Sequence, residues 1–203
     1  LTQEMICSEK LGETQVIAIL QDILHILEFV HQNNVIHRDI KPSNLIRREQ
    51  DQKLVLIDFG AVKRINEISS NYPQATMNTI AIGTSGYAPA EQMSGKPSFS
   101  SDIYAVGMIG IQALTGIRPY ELPKDVETGE ISWQEQAEVS DEVAAILNTM
   151  VRYDFRQRYQ FAQEVLQALV DINRITPTNI PYTVVNKPSF VSGIKTFFKR
   201  FKP

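Results

Sequence analysis

The chain has 203 residues, of which 43% are hydrophobic and 21% charged, proportions that exclude a disordered, collagen-like or disulfide-dense protein. Cys7 is the single cysteine, so an internal disulfide and a thiolate metal site are ruled out, and the scattered His25, His31 and His37 make no zinc site. The net charge of −3 argues against a nucleic-acid partner.

The charge is uneven. Residues 171–203 carry Arg174, Lys187, Lys195, Lys199, Arg200 and Lys202 against the one acid Asp171, a net of +5, which leaves −8 on the other 170 residues. The longest apolar run, Ile103 to Leu114, is broken by Gln112 and is shorter than the roughly 18 residues of a membrane span. No secretory signal opens the chain, which makes the cytoplasm the expected location. The first residue is Leu1 rather than Met, as expected of a piece of a longer protein.

In chain order, Val16, Leu20, Ile23, Leu27 and Val30 repeat at helical spacing and predict a helix over about 14–32. Ile17, Ile19, Leu24 and Ile26 widen its stripe, so most of it is expected to be buried, with His25 and His31 on its surface. Leu45-Ile46 and Leu54 to Ile57, separated by the polar stretch 47–53, predict a small hairpin. Residues 58–100 show no period, and a loop of that length is usually functional or disordered. Asp102 is expected to open an all-apolar core helix, 102–115, closed by Gly116. Ser140 suits the N-cap of a helix reaching about 152, and Ala162, Val165, Leu166 and Leu169 predict another over about 160–170. Pro177, Pro181 and Pro188 then mark a linker. The organisation expected is a mainly helical body, 1–170, with one small β-hairpin and a basic tail, 171–203.

The chemistry lies in His37-Arg38-Asp39-Ile40-Lys41-Pro42-Ser43-Asn44 and Asp58-Phe59-Gly60. Asp39, Asn44 and Asp58 are short oxygen-bearing side chains on turns flanking the hairpin, a donor set suited to Mg²⁺, which takes few protein ligands plus substrate phosphates. Lys41, two residues from Asp39, points the same way on an extended loop. An acid beside a lysine at such a site fits proton acceptance from a hydroxyl and charge neutralisation on a phosphoryl group.

These residues resemble the protein kinase family, whose catalytic loop reads H-R-D-x-x-x-x-N and whose metal motif reads D-F-G. Residues 83–91, Gly-Thr-Ser-Gly-Tyr-Ala-Pro-Ala-Glu, resemble the end of the activation segment, with Pro-Ala-Glu in place of Ala-Pro-Glu as in bacterial members. The resemblance spans about 170 residues. It implies a mainly α protein-kinase-like C-terminal lobe that transfers phosphate from ATP, with Mg²⁺, to protein serine or threonine.

Asp39 would be the base, Lys41 would reach the transferring phosphoryl group, and Asn44 and Asp58 would hold the metal and, with Lys41, the nucleotide. His37 and Phe59 would stack in an apolar column, Gly60 would complete the metal motif, and Thr84 would face the substrate. Lysine two residues after the base, with Thr84, is the Ser/Thr-specific pattern. Glu91 and Arg158 would form a buried pair, and Asp102 would bind the catalytic-loop backbone. Arg38 would receive a phosphorylated activation loop, with Thr79 and then Thr76 as the candidate sites.

A pseudokinase and a small-molecule phosphotransferase are the competing readings. Retention of Asp39, Asn44 and Asp58 argues against the first, and the segment from Asp58 to Glu91 against the second. The family also needs a Gly-rich loop and a strand lysine. No two glycines in this chain are separated by one residue, and Lys10 is the only lysine before His37. The N-terminal β-lobe is therefore expected to be missing, and the isolated chain to be inactive and prone to self-association. Phe190, Ile194, Phe197, Phe198 and Phe201, interleaved with lysines, make segment 190–202 a candidate for membrane-surface contact.

Overall fold

The computed structural model describes residues 1–7, 10–59, 63–64 and 86–175. After a short helix α1 (Thr2–Cys7), α2 (Glu13–Gln32) carries the stripe read from its period: Val16, Leu20, Ile23, Leu24, Leu27 and Val30 are buried. Asn34, at φ 57°, turns the chain into β1 (Val35–Ile36). The hairpin pairs β2 (Leu45–Arg47) with β3 (Leu54–Leu56), in the register Leu45 to Leu56 and Arg47 to Leu54. Leu45, Leu54 and Leu56 face the core while Ile46 is half exposed, the alternation a two-stranded ribbon needs on a packed body.

A second pairing, β1 with β4 (Lys63–Arg64), has no sequence signal, because two-residue strands are too short to show a period. Past it lie α3 (Ala90–Met93), α4 (Phe99–Thr115), α5 (Asp141–Met150) and α6 (Ala162–Ile175). α6 runs past the expected end near 170.

The core helix differs from expectation at its start. Asp102 does not open α4; Ser98 is the N-cap, its N–H donating to Ser101 Oγ at 3.0 Å, and Asp102 sits inside the first turn. The polar run Ser98, Ser100, Ser101 reads as loop, yet Ser100 and Ser101 are buried helix. Gly116, left-handed at φ 71°, closes α4 as expected. Ser140 caps α5, its Oγ accepting from the Val143 N–H at 3.4 Å.

α4 runs through the centre of the body, packed by α2 and α5, with α6 across α2 and α5. Two glycines set that closeness. A Cβ at Gly107 would lie 2.7 Å from Val151 Cγ1, and one at Gly110 would lie 2.9 Å from Leu147 Cδ2 and 3.2 Å from Leu20 Cδ2. No helix among the described residues is long and apolar enough to cross a membrane.

Candidate active site

The loop after β1 is anchored by buried Ile36 and Ile40, and its backbone is held under strain. Arg38 has φ 69°, a left-handed conformation that costs a non-glycine residue about 1–3 kcal/mol. The surroundings over-determine it. Asp102 Oδ2 accepts from the His37 N–H at 2.8 Å, Asp102 Oδ1 from the Arg38 N–H at 2.9 Å, and Gln92 Nε2 donates to the Arg38 carbonyl at 2.6 Å. Both main-chain polar groups of the strained residue are therefore gripped by side chains from α4 and α3.

That grip presents Asp39. Lys41 Nζ lies 2.8 Å from Asp39 Oδ2, and Asn44 Nδ2 donates to the same oxygen at 2.8 Å and to the Asp39 carbonyl at 2.7 Å. Asn44 is buried in the turn Pro42–Asn44, whose N–H to Lys41 carbonyl bond of 3.0 Å fixes the spacing. Charge-assisted bonds from two side chains hold the carboxylate aimed. Such a group can orient a hydroxyl and take its proton.

The hairpin brings the second metal-site candidate near. The Ile57 N–H donates to the Asn44 carbonyl at 2.9 Å, so Asp58, at φ 61°, follows directly beside the Asn44 turn. With its side-chain nitrogen donating to Asp39, Asn44 has its side-chain oxygen, Oδ1, as the atom that could take a cation. Among the described residues no cluster of three His, Cys, Asp or Glu side chains could hold a metal alone. Two hard oxygen donors fit an ion that completes its shell with phosphate oxygens and water. His37, fully buried, meets Phe59 edge-on at 4.8 Å between ring centroids. Burial pushes the His37 pKa below its ordinary value, opposed by the charges of Asp102 and Asp39.

A second buried carboxylate ties α3 to the far helices. Arg158 Nη1 donates to Glu91 Oε1 at 2.7 Å and Nη2 to Oε2 at 3.3 Å. The guanidinium also bonds the carbonyls of Arg152 (2.6 Å) and Tyr153 (3.2 Å) and lies 4.7 Å over the Tyr104 ring. Burial pushes the Tyr104 phenol up to about 12, so it stays neutral under Arg158. Ser101 Oγ adds a bond to Glu91 Oε1 at 2.8 Å.

His31 corrects an expectation. It is buried, not on the helix surface; its Nε2 lies 3.0 Å from Asp102 Oδ2 and its ring stacks on Phe99 at 4.4 Å. The signal was present, since His31 is seven residues after Leu24 and four after Leu27, on the apolar stripe. His25 is exposed, as expected. Gln92 and Ser101 had no comparable signal. Gly60, Thr76, Thr79, Thr84 and the segment 190–202 lie outside the described residues.

The family model for the protein kinase domain matches residues 1–169. Among curated relatives, serine/threonine-protein kinase B of Synechocystis is 45% identical over 172 residues, 83% of this chain and 30% of the relative. PknA of Nostoc is 42% identical over 85% of this chain and 31% of its own length, and Synechocystis kinase C is 40% identical over 93% and 35%. The chain thus spans about a third of the length of these relatives. A matched family model over most of its residues, and bacterial serine/threonine kinases as relatives, establish that the chain belongs to the protein kinase family.

Proposed function

We propose that this chain is the C-terminal lobe of a serine/threonine protein kinase, contributing the base, the metal ligands and the acceptor side of the site. The observation that carries the reading is the held Asp39 carboxylate, gripped by Lys41 and Asn44 on a loop braced by Asp102. In this reading Asp39 orients the acceptor hydroxyl and takes its proton. The hydroxyl oxygen forms the new bond to the γ-phosphorus of ATP as the bond to the β,γ-bridging oxygen breaks. Lys41, already beside Asp39, sets a positive charge where the transferring group passes. Asn44 and Asp58 would hold Mg²⁺, which supplies charge neutralisation on the phosphates. Arg38 remains the proposed receiver for phosphate on Thr79 or Thr76, and Thr84 the proposed substrate-facing hydroxyl.

The glycine loop and phosphate-binding lysine are absent from the 203 residues, so the proposal has the nucleotide-covering half supplied from elsewhere. Without that cover the charges of the site act through water, where each interaction is several-fold weaker. The test is phosphate transfer from radiolabelled ATP to a generic protein acceptor by four proteins: this chain, the longer parent and the Asp39→Ala variant of each. We expect labelling by the parent alone. A silent parent overturns the kinase reading. Labelling by the isolated chain that Asp39→Ala abolishes overturns its reading as half an enzyme.

A further inference from the structure

Beside the catalytic loop, a groove of about 600 Å³ runs from Lys41 to the end of α4. Its lining includes Met5, Lys10, Lys41, Tyr87, Gln112 and Arg118, and none of its described lining residues is an Asp or Glu. Lys10 donates to the Gln136 carbonyl at 2.8 Å and Arg118 to the Tyr120 hydroxyl at 2.8 Å, so both cations are held in place by neutral oxygens. Glu121 is outside the lining but near enough for its charge to act on Arg118, so Lys10 is the cation of the groove with no described carboxylate paired to it. Tyr87 hydrogen-bonds Gln112 in the same groove, so the polar pair there is neutral as well. Gly86 permits that placement. At φ 92° its backbone packs on Pro119, where a Cβ would come within 2.5 Å of the proline Cβ.

A groove of one sign on a body carrying the opposite sign selects its ligand by charge. Residues 1–170 total −8, yet among the described lining residues the only charged ones are Lys10, Lys41 and Arg118, of which Lys41 is shared with Asp39. We infer that the groove binds the acceptor protein through anionic side chains that flank its reactive hydroxyl. The inference rests on the reading of Asp39 as the base, because Lys41 belongs both to the groove and to the Asp39 pair. It adds what that reading leaves open, the substrate class. Carboxylates and phosphoserine share the chemistry the groove would recognise.

The test is fluorescence anisotropy of the 203-residue chain with short labelled serine peptides flanked by Glu, by phosphoserine, by Gln or by Lys. The expected result is binding of the Glu or phosphoserine peptide about ten-fold tighter than Gln, with the advantage shrinking as salt rises. Whichever of the two anions binds identifies the source. The variant Lys10→Glu/Arg118→Glu changes exposed positions and retains the basic tail. It should abolish the preference, and near-isosteric Gln112→Glu should weaken it. Equal binding of the Glu, phosphoserine, Gln and Lys peptides overturns the inference. So does a preference that survives Lys10→Glu/Arg118→Glu, which would put the anion on the tail. Phosphate transfer by the longer parent to the same peptides reports separately on the kinase reading: an anionic peptide that binds here but is never phosphorylated leaves the groove standing and sinks the role of Asp39.

Discussion

Two buried carboxylates organise this molecule, and they work differently. Glu91 holds a single distant cation, Arg158, in a bidentate pair whose guanidinium goes on to bond the Arg152 and Tyr153 carbonyls. Asp102 holds no cationic chain of that kind; it takes two main-chain amides, His37 and Arg38, and the His31 ring. The difference is one of dependence. A carboxylate on amides makes bonds that survive most substitutions in the loop it holds, whereas a pair of side chains fails when either is removed. The first arrangement suits a strained catalytic loop; the second suits a clamp between two helical segments.

Breaking the clamp should have the largest effect. Arg158→Ala leaves Glu91 buried without its cation, which costs about 3–5 kcal/mol, a large share of a stability of roughly 5–15 kcal/mol. Urea denaturation should show that loss. The double variant Glu91→Gln/Arg158→Met should lose clearly less than the two single variants summed, because no uncompensated charge remains. Additive losses would mean the two side chains do not act as a unit.

Asp102→Asn tests the other carboxylate at nearly unchanged volume. One side-chain atom becomes a donor facing an amide donor, and the charge that strengthened the bonds is gone. The cost should be about 2–3 kcal/mol, below that of Arg158→Ala. Hydrogen exchange at His37 and Arg38 should accelerate while α5 stays protected. Uniform acceleration would show that Asp102 supports the whole body rather than the loop.

The two carboxylates also differ in how they could be read. Glu91 and Arg158 were legible as a pair through the kinase motifs, since both partners are side chains at recognisable places. For Asp102 the resemblance points to the catalytic-loop backbone, but the expectation of His31 on the surface passes over its spacing from Leu24 and Leu27, which puts it on the buried stripe. The long helices were legible because apolar period and burial coincide. The start of α4 was not, because Ser100 and Ser101 bury polar groups that a composition reading assigns to loop. The β1–β4 pairing left no trace either, since two-residue strands carry no alternation.

His31→Phe sharpens the point at smaller scale. The ring stack on Phe99 is kept in kind, and Asp102 loses one of its three partners while keeping both amides. A net loss of about 1 kcal/mol is expected in urea denaturation, typical of one hydrogen bond. A loss as large as that of Asp102→Asn would make the histidine, rather than the amides, the main support of Asp102.

The smallest effect expected is a pH dependence carried by His37. Its ring is buried against Phe59, and desolvation holds its pKa in the folded chain below the ordinary histidine value of about 6.5. Between those two values the unfolded chain binds a proton that the folded chain refuses. Stability is therefore complete above pH of about 6.5 and is lost as the pH falls toward the folded-state pKa, at no more than about 1.4 kcal/mol per pH unit for a single proton. Other groups titrate as well, so the informative quantity is a difference. Urea midpoints of the natural chain and of His37→Leu should be measured from pH 7.5 to 5.5. The natural chain should lose more stability over that range than the variant, even though the variant starts lower through its lost ring contact. Parallel losses would mean that the charges of Asp102 and Asp39 offset the burial of His37 and leave the ring free to protonate in place.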